Sequence, residues 1–407
     1  MQLTHLSLTN FRNFTRLDLD VPGGTILLVG DNAQGKTSVL EAIYLLATMT
    51  SFHASSERQT INFIEARNPL AVGRIVADFQ RGSEAHRLEI RIIQEGGNGG
   101  LRLRKEALLD GVKHKSSTVV GQFNAVLFLP QMLSVIEGSP EERRRYLNLA
   151  LTQVVTHYAP ALSDYNKALT QRNALLKQLN ERGGDPTQLA YWDEQVTASG
   201  AQLIHARIRA VQELERQGAK VHGELTRGEE VLRLSYQPSY DPLARPNGYV
   251  NGQLGLPLDA AADRSGVSVA EIRKGFQEAL ARLRSEEIAR GVTVIGPHRD
   301  ELRFLSNGID LGDYGSRGQV RTAMLALKIA EVSWMKEKTG HWPVLLLDEV
   351  MAELDPRRRQ DLLARIAGVE QALLTTTDLD LFAPGFTQQA ALWNVHGGRV
   401  STLKYSH

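Results

Sequence analysis

The segment Gly30-Asp31-Asn32-Ala33-Gln34-Gly35-Lys36-Thr37 fits G-x-x-x-x-G-K-[ST], and the chemistry of that pattern is phosphate binding. Its glycines let backbone N–H groups curl around phosphate oxygens, and a helix starting at the loop's end adds the partial positive charge of its N-terminus. In this arrangement Lys36 reaches the β- and γ-phosphates of a nucleotide, Thr37 ligates Mg²⁺, and Ser38 follows as a further nucleotide contact. A second piece, Val344 to Leu347, is an apolar run ending in Asp348 and Glu349. A strand that delivers carboxylates at its C-terminal end sets them where the sites of parallel sheets lie. Asp348 suits the Mg²⁺ shell, and Glu349 suits a general base that orients an attacking water. Taken alone, Asp-Glu after a strand is more often a capped turn; the phosphate loop makes it a site. A third piece, Gly315 to Gln319, is a small-residue turn opening a helix, again an anion-binding geometry. If this turn closes over the γ-phosphate of a neighbouring copy, the nucleotide joins a symmetric dimer with isologous contacts.

The elements that must position these residues are legible in the periodicity. Leu6, Leu8 and Phe11, then Leu17, Leu19 and Val21, alternate on either side of a turn and predict a pair of strands. Thr25 to Val29 predicts a strand into the phosphate loop, and Thr37 to Leu46 a helix out of it. Short alternating runs, Ala71 to Phe79 and Leu88 to Ile93, predict an antiparallel sheet. From Glu141 the apolar residues step by three and four through Leu179, and again from Leu189 to Leu214 after the turn Arg182 to Pro186. That spacing predicts a helical hairpin with arms of roughly 50 Å. Tyr236 to Asp263, rich in Pro, Gly and Asn, reads as irregular. A helix over Gly318 to Lys336, a strand over Val344 to Leu347, a helix over Pro356 to Ala367 and a strand over Gln371 to Thr375 then alternate as in a covered parallel sheet.

Lys36 and Asp348 stand too far apart in sequence for one uninterrupted nucleotide-binding domain of ~200 residues, so the helical hairpin must be an insertion. The expected organisation is an α/β P-loop head made of residues 1–140 and 291–407, with an inserted helical lobe over 141–290 that contains the irregular segment 236–263. The chain of 407 residues has 47 basic and 46 acidic side chains, so attraction to nucleic acid must come from a local surface. Its lack of cysteine excludes disulfides, cysteine-ligated zinc, iron–sulfur clusters and thiol nucleophiles. No apolar run reaches the ~18 residues of a membrane span, and the first residues lack the pattern of a signal peptide, so a soluble, cytoplasmic protein is expected.

The loop GDNAQGKT, the turn SRGQ at Ser316 to Gln319, LLLDEV followed by Glu353-Leu354-Asp355, and TTTD at Thr375 to Asp378 together resemble the ATP-binding-cassette heads of the SMC-related class. More narrowly they resemble the RecF family of bacterial recombination mediators. The likeness extends to LTNFRNF at the start, SFHASS at Ser51 to Ser56, FLPQMLSVIEGSPEERRRYL at Phe128 to Leu147 and GPHRDEL at Gly296 to Leu302. It implies a weak ATPase that takes ATP and Mg²⁺, dimerises on ATP, and binds double-stranded DNA at single-strand gaps. It further implies action with RecR and RecO to place RecA in replication, repair and the SOS response. By resemblance Arg12 and Asn13 lie near the nucleotide, and Ser316, Gly318 and Gln319 touch the ATP held by the other subunit. Gln131 is then the residue that couples nucleotide and Mg²⁺ to the helical lobe. Asp355 is the carboxylate that follows the Asp-Glu strand, and Asp378 takes the switch position where transporter ATPases carry His.

DNA contact would come from Lys and Arg: Arg102, Arg104, Lys105, Lys113 and Lys115 first, then Arg143, Arg144 and Arg145. The second run could equally bind the helical lobe to the head. His298, beside Arg299 and Asp300, reads as part of a polar knot that holds a loop or lines the site. Two other classes share the phosphate loop and carboxylate pair: the motor subunit of a membrane transporter, and a nucleotide-dependent scaffold without direct DNA binding.

Overall fold

The structure is a computed structural model that describes residues 1–54, 56–97, 100–243 and 263–403. Most of the expected irregular segment, from 244 to 262, lies outside the described residues, as does Ser55 of the SFHASS stretch. The chain divides into two compact units, one of residues 1–132 with 331–407 and one of residues 133–330.

In chain order the first unit opens with β1 (Gln2–Phe11), β2 (Phe14–Asp20), β3 (Gly24–Val29) and α1 (Lys36–Thr48). It continues through β4 (Leu70–Arg81), β5 (Glu84–Gly97), β6 (Gly100–Leu109), β7 (Val112–His114) and β8 (Ala125–Phe128). Next come α2 (Pro140–Val154), α3 (Tyr158–Arg182), α4 (Leu189–Leu225), β9 (Leu232–Gln237), α5 (Val269–Arg290), β10 (Glu301–Ser306), β11 (Ile309–Asp310) and α6 (Arg317–Thr339). The chain then closes with β12 (Val344–Asp348), α7 (Pro356–Ile366), β13 (Gln371–Thr376), β14 (Ala391–His396) and β15 (Arg399–Leu403).

The first unit holds two six-stranded sheets. One is antiparallel, in the order β2-β1-β4-β5-β6-β7. Its inner face carries Leu6, Leu8, Ile75, Ala77, Leu88, Ile90 and Ala107, all buried, while the residues between them face outward. A register shift between Leu3 and His5 is why the apolar period of β1 slips at its start. The other sheet runs β15-β14-β3-β13-β12-β8, parallel except for the hairpin partner β15. Its inner strands read as unbroken apolar runs because both faces are covered: Ile26, Leu27 and Leu28 are fully buried. Helix α1 touches β12, β8 and β13 of this sheet and β4 and β5 of the other, which is why nearly all of its residues are buried.

The second unit is built on α3, α4 and α5 with the small sheet β11-β10-β9. The α4 helix, with 37 residues, extends on the order of 55 Å. The first arm of the expected hairpin is two helices: the β-branched run Val154-Val155-Thr156 disfavours continuation, and His157 turns the chain in the left-handed region at φ 70°. The unit reaches past the expected boundary at 290 because β10 pairs in register with β9, Phe304 opposite Leu234. Two buried ionic knots pin it. Arg172 donates to Asp193 (2.8 Å), Thr293 (2.7 Å) and Glu287 (2.6 Å), and Arg207 donates to Asp300 (2.8 Å), the Pro297 carbonyl (2.6 Å) and Asn148 (3.0 Å).

Candidate nucleotide-binding site

β3 ends in the phosphate loop and α1 begins at its lysine, so the loop sits at the C-terminal edge of the parallel sheet. Two glycines are steric necessities. A Cβ on Gly30 would stand 2.2 Å from the Val395 carbonyl oxygen, and one on Gly35, at φ 116°, 2.4 Å from Asn13 Nδ2. Gln34 ties the loop down: its carbonyl accepts from Asn13 Nδ2 (2.9 Å) and the Gly398 N–H (3.3 Å), and its Oε1 accepts from the Gly397 N–H (2.7 Å).

Lys36, only 4% exposed, donates to the carbonyls of Gly30 (2.6 Å) and Asp31 (3.1 Å) and pairs with Glu349 Oε1 at 3.1 Å. The next residue, Thr37, donates its hydroxyl to Asp348, 3.0 Å from each carboxylate oxygen. Asp348 also accepts from Thr375 Oγ1 (2.8 Å), the residue opposite it in the β12–β13 register, and Thr375 accepts in turn from the Glu349 N–H (2.9 Å). Glu349 itself has φ 52°, a left-handed conformation that costs a non-glycine residue of order 1–2 kcal/mol and aims its carboxylate at Lys36. The chain thus brings together the phosphate-loop lysine and threonine with both carboxylates of the Asp-Glu strand.

Lys36, Thr37 and Glu349 line a cavity of about 580 Å³ together with the rest of residues 31–38, Arg12 and Asn13, a size usual for small-molecule sites, and Asp348 is joined to it through the Thr37 hydroxyl. Arg12 reaches the wall through Glu41, which is buried: its Nε and Nη2 lie 2.7 and 2.6 Å from that carboxylate, and its Nη1 donates to the Gln59 carbonyl (2.8 Å). Glu41, His53, Gln59, Ile61 and Phe63 complete the lining and were not marked by the sequence pattern as nucleotide contacts. Phe63 is 67% exposed on that wall, with the Arg67 guanidinium 5.8 Å from its ring. An exposed aromatic in a loop is the signal that could have found it.

Other expected residues stand apart from this lining. Gln131 is exposed in the short turn Pro130–Leu133 after β8. Asp355 caps α7, accepting from the N–H groups of Arg357 (3.1 Å) and Arg358 (3.0 Å), and those bonds hold its carboxyl below the usual range. Asp378 caps the turn Leu379–Leu381 through the Asp380 N–H (2.8 Å). The signature turn belongs to the second unit. There Ser316 Oγ accepts from the Gln319 N–H (3.2 Å) while Gln319 Oε1 accepts from the Ser316 N–H (3.1 Å), and Gly318 leaves the helix start uncovered by any side chain of its own.

The expected basic surface is largely neutralised within itself. Arg104 binds Glu106 (2.7 Å) and Glu95 (3.2 Å), and Lys113 binds Glu106 (2.6 Å), all on the outer face of the antiparallel sheet. Farther along that face Arg74 and Arg91 hold the Glu89 carboxyl down to about 2. Lys105 points the other way, to the Met49 carbonyl (2.8 Å) and Glu57. Arg102 and Lys115 are exposed. In the second run, Arg143 forms a bidentate pair with Glu301 (2.6 and 2.8 Å), Arg144 donates to the Asp300 carbonyl (2.9 Å), and Arg145 is exposed. His298 is structural: its Nδ1 accepts from Tyr165 (2.7 Å) and its Nε2 faces the Thr293 carbonyl (3.2 Å).

Residues 2–392 match the family described as the RecF/RecN/SMC N-terminal domain. With the P-loop, the Asp-Glu strand and the two-sheet head, this defines the class: an SMC-related ATP-binding-cassette ATPase head. A DNA replication and repair protein RecF from Chloroflexus aurantiacus is 40% identical over 411 residues, covering 98% of this chain and 99% of its own. A solved structure of the recombination mediator protein RecF with ATP, of the RecFOR pathway, aligns with a TM-score of 0.81 at 28% identity, covering 99% of each chain. An SMC head domain from Pyrococcus furiosus, TM-score 0.52 at 16% identity, covering 99% of this chain and 96% of its own, shares the fold alone. The chain belongs to the RecF family of DNA replication and repair proteins. These relatives give the transporter-motor and scaffold readings no support, and among the described residues no helix is long and apolar enough to cross a membrane.

Proposed function

We propose that this RecF-family chain is an ATP-driven DNA clamp: it binds ATP with Mg²⁺ in the Lys36 cavity, dimerises on it, grips duplex DNA beside single-strand gaps, and hydrolyses ATP slowly. The observation that carries the nucleotide part is the convergence of Lys36, Thr37 and Glu349 on one cavity, with Asp348 accepting from the Thr37 hydroxyl. The hydroxyl of Thr37 and the carboxylate of Asp348 form a hard oxygen donor set that fits Mg²⁺, which when bound neutralises charge on the phosphate oxygens. Backbone carbonyls hold the Lys36 ammonium facing the β- and γ-phosphates, and the incoming phosphate competes with Glu349 for it. Glu349, released, accepts a hydrogen bond from the attacking water. Ser316, Gly318 and Gln319 of a second copy close over the γ-phosphate, and Asp355 and Asp378 frame the same interface. Gln131 relays nucleotide state. Among the basic residues Arg102 and Lys115 are the best-placed DNA contacts. RecR, with RecO, and through them RecA, are the partners the family relationship supports.

The test is fluorescence anisotropy of a gapped duplex titrated with Glu349→Gln protein, with ATP and with ADP, at two salt concentrations. Tight, ATP-dependent, salt-sensitive binding is expected. Equal, negligible binding with both nucleotides would remove DNA as the direct ligand.

A further inference from the structure

The signature turn continues inward to a carboxylate and a buried imidazole that the proposed chemistry does not use. Ser316 and Gln319 occupy each other's backbone N–H groups through Gln319 Oε1 and Ser316 Oγ, which leaves the Gln319 amide nitrogen to donate to Glu230 Oε1 (3.3 Å). The other oxygen of Glu230 accepts from Ser306 Oγ (2.7 Å) and stands 3.8 Å from His222 Nε2, beyond hydrogen-bond range. His222 lies in the last turn of α4, its side chain fully buried, and its ring faces the backbone and the carboxylate of Glu230 without a hydrogen bond of normal geometry from either nitrogen. Buried polar groups are nearly always paired, so an imidazole left this way beside a carboxylate has a partner within reach rather than in hand. Burial keeps the ring below its ordinary pKa, and a neutral ring carrying its proton on Nε2 would offer that N–H to Glu230.

We propose that Glu230 is a positioning residue for the Ser316–Gln319 turn and that His222 is the alternative partner of its carboxylate when Gln319 is drawn away. The inference rests on the reading that this turn engages ATP held by a second copy. With the turn free, Glu230 holds the Gln319 amide and so keeps the reciprocal cap formed. With the turn engaged, the amide leaves and the carboxylate closes the remaining gap of less than about 1 Å to His222, within the range of a hydrogen bond. The Thr226 hydroxyl, at the end of α4, faces both the His222 carbonyl (2.8 Å) and the Glu230 carbonyl (3.4 Å), so the state of the turn is read at the end of the longest described helix.

The test uses the full chain carrying Glu349→Gln, with the ATP-dependent dimer measured by sedimentation velocity and ATP affinity by a fluorescent ATP analogue. Glu230→Ala is expected to weaken the dimer about tenfold, within the usual range of coupling between sites, and to leave ATP affinity unchanged. Glu230→Gln, whose carbonyl still accepts from Gln319, is expected to restore most of the loss. His222→Phe is expected to weaken the dimer in the presence of Glu230 and to add nothing to Glu230→Gln. If Glu230→Ala dimerises like its parent while Ser316→Ala does not, Glu230 has no positioning role and the dimer reading stands. If Ser316→Ala also dimerises like its parent, the dimer reading falls and this inference falls with it. Should Glu230→Ala unfold, Gln319→Met removes the amide and keeps the carboxylate; a full dimer from that variant overturns the proposal.

Discussion

The charged side chains buried around Arg172 and those buried around Lys36 are held on different terms. In the helical unit both carboxylates that hold Arg172 take a second donor: Asp193 accepts from Arg284 (2.9 Å), and Glu287 from the Val294 N–H (2.9 Å). Around Lys36 the partners are two carbonyls and a carboxylate on a left-handed residue, an arrangement that a phosphate can displace. The first pattern fixes helices against one another. The second leaves a cation, a hydroxyl and the Glu349 carboxylate open to a cavity, and what separates site from strut is whether the partner can be exchanged.

Four experiments break or sharpen that contrast. The largest effect is expected from Glu349→Gln, which should lower phosphate release from ATP by ~10²–10⁴-fold while ATP affinity stays within a small factor. Arg172→Met should follow, destabilising the chain by ~3–5 kcal/mol in urea unfolding because it strands Asp193 and Glu287, with ATP affinity of the remaining folded protein unchanged. Lys36→Met should cost ~100-fold in ATP affinity by calorimetry but less than ~1 kcal/mol of stability. Comparable unfolding by Lys36→Met and Arg172→Met would end the distinction. The smallest effect concerns His298, whose burial lowers its pKa from 6.5 to about 4. Below pH 6.5 the unfolded chain takes up a proton that the folded chain refuses, so stability falls as pH drops from 6.5 towards 4. Unfolding of His298→Gln across that window should be flatter by ~1–2 kcal/mol.

The phosphate loop, the Asp-Glu strand and the helical hairpin were legible because each rests on local spacing: glycines at fixed offsets, an apolar run with a polar end, a three-four rhythm. Helix α5 was not. Its buried stripe of Ile272, Phe276, Ala279 and Leu280 is interrupted by Glu287, a carboxylate whose burial makes sense only once Arg172, more than a hundred residues earlier, is opposite it. The β9–β10 pair escaped for the same reason, since its partners are separated by α5. Part of the cavity wall was invisible too. Gln59, Ile61 and Phe63 lie in a loop without period, held by Arg58 on Gln94 (2.9 Å) and by Asn62 on the Arg12 carbonyl (2.8 Å). In the basic cluster, alternation along β6 does not reveal that Arg104 faces Glu95 and Glu106 across and along the sheet.

The tether at Gln34 has a consequence for biosynthesis. The loop is held by Asn13 near the start of the chain and by Gly397 and Gly398 near the end of its described part, and β3 lies between β13 and β14. On a translating ribosome residues 133–330 emerge before either of those neighbouring strands exists. The nascent polypeptide therefore carries its phosphate loop without the strands that shape it until residues 371–398 have been made, and only then does it acquire a site that ATP can occupy.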